Sequence, residues 1–158
     1  MSTLLEWWEK NQDQFPWRET KDPWKILISE ILLQQTQAKR MISYYQRIID
    51  ANPTPKAMVE NGEESLLKLW EGAGYYRRAR LLFKLAENCQ EGLPNDYHEW
   101  LTLPGIGPYT AAAICSIAFG ENVSCIDGNV KRIIQRLIGS KITKFSEHII
   151  SELSQENP

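Results

Sequence analysis

Apolar positions in this 158-residue chain recur with helical spacing almost from end to end, and no stretch alternates apolar and polar residues long enough to predict a strand. The clearest segment runs from about Pro23 to Thr36. There Trp24, Leu27, Ile28, Ile31 and Leu32 fall at i, i+3, i+4, i+7 and i+8, which predicts a helix with one core-facing stripe. Asp22 before Pro23 reads as an N-cap followed by proline at the first helical position, and Asn61 with Glu64 as a capping-box-like pair. Ser2, Asn95 and Ser146 are further candidate caps. Stops are expected at Gly72-Ala73-Gly74, Gly92, Gly120 and Gly139, where a left-handed residue ends a helix at little steric cost. The pattern predicts an all-α protein of about ten short helices.

An apolar content of 42% with six tryptophans is enough for a real core, in one medium domain or two small, intertwined ones. A formal charge of −2 argues against a chain that coats polyanions through bulk charge. Local charge changes that picture. Arg77, Arg78, Arg80 and Lys84 stand against only Glu71 nearby, and Lys131, Arg132 and Arg136 follow Asp127 on one predicted helix, whereas acids collect in 60–64 and 147–156. Taken singly, each basic cluster reads as a solvated face as readily as a nucleic-acid contact. Cys89, Cys115 and Cys125 are widely spaced, and the histidines are His98 and His148, so no zinc or other metal site is expected. Three reduced thiols, no charged segment leading into an apolar run at the N-terminus, and no run near the roughly 18 apolar residues of a membrane span lead to an expectation of a cytoplasmic chain, neither secreted nor in a membrane.

Candidate chemistry enters through three places. Leu103-Pro104-Gly105-Ile106-Gly107-Pro108-Tyr109-Thr110, followed by an Ala-rich run, reads as a helix-hairpin-helix. A turn that needs Gly105 and Gly107 leaves backbone N–H groups uncovered at the next helix start, where the helix dipole favours phosphate without reading bases. An ordinary helix–helix turn carries the same residue types. Glu30 lies off the apolar stripe, yet of its helical neighbours Ile26, Leu27, Leu33 and Gln34 only the last is polar. Partial desolvation should raise its pKa, as a general acid near neutrality requires, although a helical Glu can also reach solvent past its neighbours. Asp127 reads as the N-cap of a helix running to Ile138, held in one orientation and kept ionised by the dipole. One carboxyl in apolar and one in polar surroundings is the acid-plus-anion arrangement of glycosidic cleavage.

Five blocks, in order, make the chain resemble the helix-hairpin-helix base-excision DNA glycosylases, and within them the MutY-type adenine DNA glycosylases. They are Phe15-Pro16-Trp17-Arg18, Ser29 to Gln37, Gly72 to Arg80, Leu103 to Gly107, and Asp127-Gly128-Asn129-Val130-Lys131-Arg132. The likeness runs from about residue 3 to the end. It implies a helix-hairpin-helix DNA glycosylase fold: an N-terminal helix at 1–20 belonging to a second subdomain, a six-helix barrel over 21–125 with the hairpin motif at 95–119, and at 126–158 an incomplete second helical subdomain without the cluster region.

The implied reaction is hydrolysis of the N-glycosidic bond of an extruded adenine that was paired with oxidised guanine or guanine. Glu30 would protonate the departing base and Asp127 would stabilise the oxocarbenium-like sugar. Trp17, Arg18, Leu33, Gln35, Tyr109 and Asn129 would form the base pocket. Gln34 and Tyr75 would enter the base stack, with Arg77, Arg78, Gly105, Gly107 and Lys131 also on DNA. In the related endonuclease III-type enzymes a lysine just after the second hairpin glycine attacks the sugar; this chain has Tyr109 there, so base removal without strand cleavage is expected. Family members continue past Asn157-Pro158 with four cysteines that ligate a 4Fe–4S cluster. None of the three cysteines here has that spacing, so no cofactor is expected. The expected partner is mispaired double-stranded DNA, bound by a monomer, with the apolar residues Ile149, Ile150 and Leu153 of a C-terminal helix available for self-association. Two alternatives remain open: a DNA-binding fragment without chemistry, and a glycosylase acting on another mispaired base such as thymine.

Overall fold

The computed structural model describes residues 3–139. Within them the chain forms α1 (Leu4–Asn11), α2 (Pro23–Leu33), α3 (Ala38–Ala51), α4 (Pro55–Asn61), α5 (Glu63–Leu69), α6 (Tyr76–Asn88), α7 (Tyr97–Thr102), α8 (Pro108–Ile114) and α9 (Gly128–Ile138), and no strand. A 3-10 turn at Pro16–Arg18 and a π-helical turn at Cys115–Phe119 complete the order. None of these helices is long and apolar enough to cross a membrane.

Helix α2 is the hub, packed against α3, α6, α8 and the π-helical turn. All five residues of its apolar stripe are buried, and Ile26 and Ser29 are buried with them, so the helix is enclosed around most of its circumference. Ala111, Ala112 and Ala113 on α8 are buried too; side chains this small let α8 lie close to α2. Trp24, Trp70 and Trp100 fill the core. Two of them satisfy their indole N–H there, Trp24 Nε1 on Asn52 O and Trp70 Nε1 on Gly74 O, each at 2.9 Å.

Helix ends depart from expectation in informative ways. Asp22 caps α2 as its sequence suggests, accepting from the N–H groups of Trp24 and Lys25. At α1 the cap is Thr3, in a capping box with Glu6, rather than Ser2, and at α7 it is Asp96 rather than Asn95. Asn61 does not start a helix. It is the last residue of α4, and its amide donates to Ala51 O and to Asn52 Oδ1, while α5 begins after Gly62 without a side-chain cap. Gly120 and Gly139 terminate their elements in the left-handed region as expected, but α5 and α6 stop at Leu69 and Asn88, before the expected glycines. Helix α2 stops at Leu33, three residues short of Thr36 and with no glycine to stop it. Ser146 and the apolar residues Ile149, Ile150 and Leu153 lie outside the described residues.

Candidate active site

Glu30 projects from the enclosed helix α2 into a cavity of about 230 Å³ lined by Glu30, Leu33, Gln34, Tyr109, Thr110 and Asp127. Burial, and secondarily the charge of Asp127, push its pKa from the ordinary 4.5 up to about 7. Leu33 follows it by one residue short of a full helical turn, so the cavity wall beside the carboxyl is apolar.

Asp127 reaches the same cavity from the first turn of α9. Its Oδ1 accepts from Asn129 N at 2.9 Å and Val130 N at 2.7 Å, and Asn129 Nδ2 donates to Oδ2 at 3.1 Å. Three hydrogen bonds fix the direction of the carboxylate. Tyr109, the second residue of α8, lines the same cavity as the two carboxyls. Burial first, then Glu30, Asp127 and Cys125, push its phenol up to about 12, so it stays protonated and can donate to an anion.

Two hollows adjoin the cavity. Gln34 is shared with a groove of about 410 Å³ whose walls include Gln35, Tyr75, Arg77, Arg78, Leu81 and Gly105. Tyr109 is shared with a hollow of about 320 Å³ that includes Tyr97, Ser124, Ile126 and Lys131. The carboxyl pair thus sits in a cavity that shares one wall residue with each of two neighbouring hollows. Gln35 at φ +58 and Tyr75 at φ +50 are the two non-glycine residues in the left-handed region among the described residues. Both line the groove, and conformations of this kind cost about 1–2 kcal/mol each for residues with a Cβ.

Several candidates lie elsewhere. Trp17 is in the core and not in the cavity: the 3-10 turn drives it inward, stacked on Phe15 at 4.9 Å and edge-on to Tyr45 at 5.4 Å. Arg18 is exposed outside the cavity, its guanidinium 4.8 Å over the Trp8 ring and donating to Asp13 O at 2.8 Å. Gln35 belongs to the groove, and Asn129 acts on Asp127 without lining the cavity. Arg78 is mostly buried and donates to backbone carbonyls, and it lines the groove together with Gln34 and Tyr75. Gly105 adopts φ +74 and needs to be glycine, whereas Gly107, the N-cap of α8, sits at an ordinary φ of −96.

Two residues of the site escaped the sequence reading. Thr110 is buried against the cavity, and its signal was a polar residue opening an otherwise apolar helical run. The Cys125 thiol is pushed up by burial and then by Glu30. Nothing in its local sequence marks it beyond its place two residues before Asp127. Cys89 and Cys115 are buried free thiols, and no group of three or more potential metal ligands gathers among the described residues, which therefore offer no holder for an iron–sulfur cluster.

Residues 28–156 match the model of the HhH-GPD superfamily base excision DNA repair proteins. An adenine DNA glycosylase of Buchnera aphidicola subsp. Baizongia pistaciae is 39% identical over 154 residues, covering 94% of this chain and 44% of the relative. The chain spans about half the length of the curated relatives it matches. Among solved structures, a thermostable thymine-DNA glycosylase superposes with TM-score 0.84 at 31% identity, over 96% of this chain and 73% of that one. An endonuclease III in a non-covalent complex with DNA superposes with TM-score 0.71 at 28% identity, over 87% and 70%. With its all-helical architecture, its hairpin at Leu103–Gly107 and this breadth of match, the chain belongs to the HhH-GPD superfamily of base excision DNA repair proteins.

Proposed function

We propose that this chain hydrolyses the N-glycosidic bond of an adenine extruded from mispaired double-stranded DNA, where adenine stood opposite oxidised guanine or guanine. The observation that carries the reading is the convergence of Glu30 and Asp127 on one cavity with Glu30 near pKa 7. At neutral pH about half of the Glu30 carboxyls hold a proton that the departing base can take, so a poor anionic leaving group leaves neutral. The C1′–N bond breaks with its electron pair on the base nitrogen. Asp127, held by its three hydrogen bonds, faces the positive charge that develops on the sugar. Water then adds its oxygen to C1′, and the proton it loses returns to Glu30.

The product is an abasic site on an uncut strand, since the phenol of Tyr109 carries no amine to form a Schiff base. In this reading Gln34 and Tyr75 enter the base stack from the groove edge, offsetting an unpairing cost of a few kcal/mol. The Gly105–Gly107 hairpin, Arg77 and Lys131 face the phosphates. Trp17 and Arg18 lie outside the lining of the cavity, so this reading assigns the base contacts to the cavity's own residues.

The test is a duplex holding adenine opposite oxidised guanine, with abasic sites quantified after alkali and strand breaks scored without it. Release of adenine well above a Glu30→Gln control, with strands intact before alkali, is the expected result; release no greater than that control overturns the proposal. The close superposition on a thymine-DNA glycosylase favours a second reading, removal of thymine opposite guanine. A parallel arm with that mispair decides: product there and none from adenine transfers the activity to thymine.

A further inference from the structure

Arg78 stands in a basic run on α6, yet its side chain turns away from solvent and is only 7% exposed. Its guanidinium crosses to the end of α2. Nη1 donates to Leu32 O at 2.8 Å, to Ile31 O at 3.3 Å and to Gln34 O, and Nη2 reaches Gly74 O at 3.5 Å. The same group lies 5.0 Å from the centre of the Tyr75 ring. One side chain therefore touches the residue before Gln35 and the residue before Tyr75, the two non-glycine residues held at positive φ.

The contacts explain why α2 ends where it does. The last carbonyls of a helix lack intrahelical partners and carry the negative end of its dipole; here the buried cation, with the Thr36 hydroxyl on Leu32 O and the Thr36 N–H on Leu33 O, satisfies them, so no glycine is required. Meanwhile the turn before Tyr75 is held from its far side by α3, with Arg40 Nη2 on Gly72 O at 2.7 Å and Arg47 Nη2 on Glu71 O at 3.2 Å. Arg78 Nε is buried without a partner. A group that only filled the core would be served as well by an apolar side chain, with no desolvated charge to support.

We propose that Arg78 is a positioning residue: without touching DNA, it locks the Gln34–Gln35 corner to the Gly74–Tyr75 corner, so that Gln34 and Tyr75 are presented to the duplex as one rigid edge. This rests on reading the cleft as a base-extruding site. The fork geometry is the essential feature, since a guanidinium reaches several carbonyls at fixed angles and an ammonium does not.

The test compares the full chain with Arg78→Lys, which keeps the charge, and Arg78→Met, which keeps the bulk. In the free proteins, amide exchange in segments 33–36 and 73–76 is expected to speed up by about tenfold or more in both variants, while α7 exchanges as in the wild type. On DNA, single-turnover release of adenine opposite oxidised guanine should fall by at least about tenfold, because misplacement of the edge hinders extrusion. Affinity for a duplex whose adenosine is replaced by a tetrahydrofuran abasic analogue, which needs no extrusion, should stay within about threefold.

Wild-type exchange in both segments of Arg78→Lys overturns the proposal. So does a loss of affinity for the abasic analogue as large as the loss in rate, since Arg78 would then be contacting DNA. A wild-type chain that releases no base, but whose Arg78→Lys variant loosens both segments, keeps the clamp and discards the proposed activity.

Discussion

On the α2 wall of the cleft, Glu30 is carried by a helix buried around most of its circumference, and apolar surroundings hold its carboxyl up near pKa 7. On the α9 wall, Asp127 is carried by the first turn of a helix that leaves Ile133 and Leu137 exposed, and backbone and side-chain donors hold its carboxyl in place. One wall tunes its carboxyl by withholding partners, and the other orients its carboxyl by supplying them, so the same functional group is presented to one cavity in two different settings. The sharpest way to break this contrast is to neutralise each carboxyl in turn. Glu30→Gln should lower single-turnover base release by roughly 10³-fold, within the range of lost general acid catalysis. Asp127→Asn should lower it by about 10²–10³-fold, the scale of a lost electrostatic partner, and because Asn caps helices as well as Asp its melting temperature should stay near that of the wild type. Equal retention of activity in both variants would remove the distinction between the walls.

The pH dependence sharpens the contrast further. A donor with pKa about 7 is protonated below that value, so base release should be level in mildly acidic buffer and fall about tenfold per unit above it, roughly a hundredfold by pH 9. Burial is the larger cause of the raised value and Asp127 the smaller. In Asp127→Asn the midpoint of that decline should accordingly move down by less than half of the total rise, and a midpoint near 4.5 would show the α2 wall to be less apolar than its packing indicates. Stability carries the opposite signature. Because the folded pKa lies above the unfolded one, the proton favours folding below about 4.5, and that contribution is lost as pH rises through about 7. Glu30→Gln should therefore be more stable than the wild type by up to about 3 kcal/mol at pH 8, with the difference vanishing near pH 4, as read from denaturant midpoints. An activity gained at the expense of stability is what a desolvated acid requires.

The two walls also differ in how much of them the sequence discloses. The stripe Trp24, Leu27, Ile28, Ile31 and Leu32 has one periodicity and one structural solution, so α2 follows from spacing, whereas the desolvation of Glu30, off that stripe, also needed the packing of other elements around it. Asp127 as the cap of a helix to Ile138 is equally local, since the capping donors are two and three residues away. Long-range features were less visible. Nothing local distinguishes Arg78 from the arginines on either side; only the arrival of α6 beside the end of α2 makes it a buried clamp on the last carbonyls of that helix, which it shares with Thr36. Trp17 belongs to a block that resembles the family's pocket, yet the 3-10 turn at Pro16 and the packing of Phe15 and Tyr45 draw it into the core. Trp17→Ala should therefore act through stability, at about 3–5 kcal/mol, the range seen when a buried aromatic is removed.

The hairpin that carries Tyr109 to the same cavity gives the finest distinction. At Gly105 the backbone has φ +74, and an added Cβ would lie 2.5 Å from Leu81 Cδ1. Gly105→Ala must shift either the turn or Leu81, at a cost of about 1–3 kcal/mol for holding a residue with a Cβ in the left-handed region. Gly107 is different: its backbone is ordinary, and a Cβ there would meet nothing within 4 Å. Its lack of a side chain serves no purpose inside the fold. Gly107→Ala should change stability by no more than about 0.5 kcal/mol, the usual effect of a surface substitution. If a phosphate approaches the α8 N-terminus, however, the added methyl stands in its way, and affinity for mispaired duplex should fall severalfold with a shallower dependence on salt. The pair thus separates a glycine kept for folding from one kept for a ligand. A Gly107→Ala chain that binds duplex as tightly as the wild type would move the DNA backbone away from the hairpin while leaving the chemistry assigned to the two walls intact.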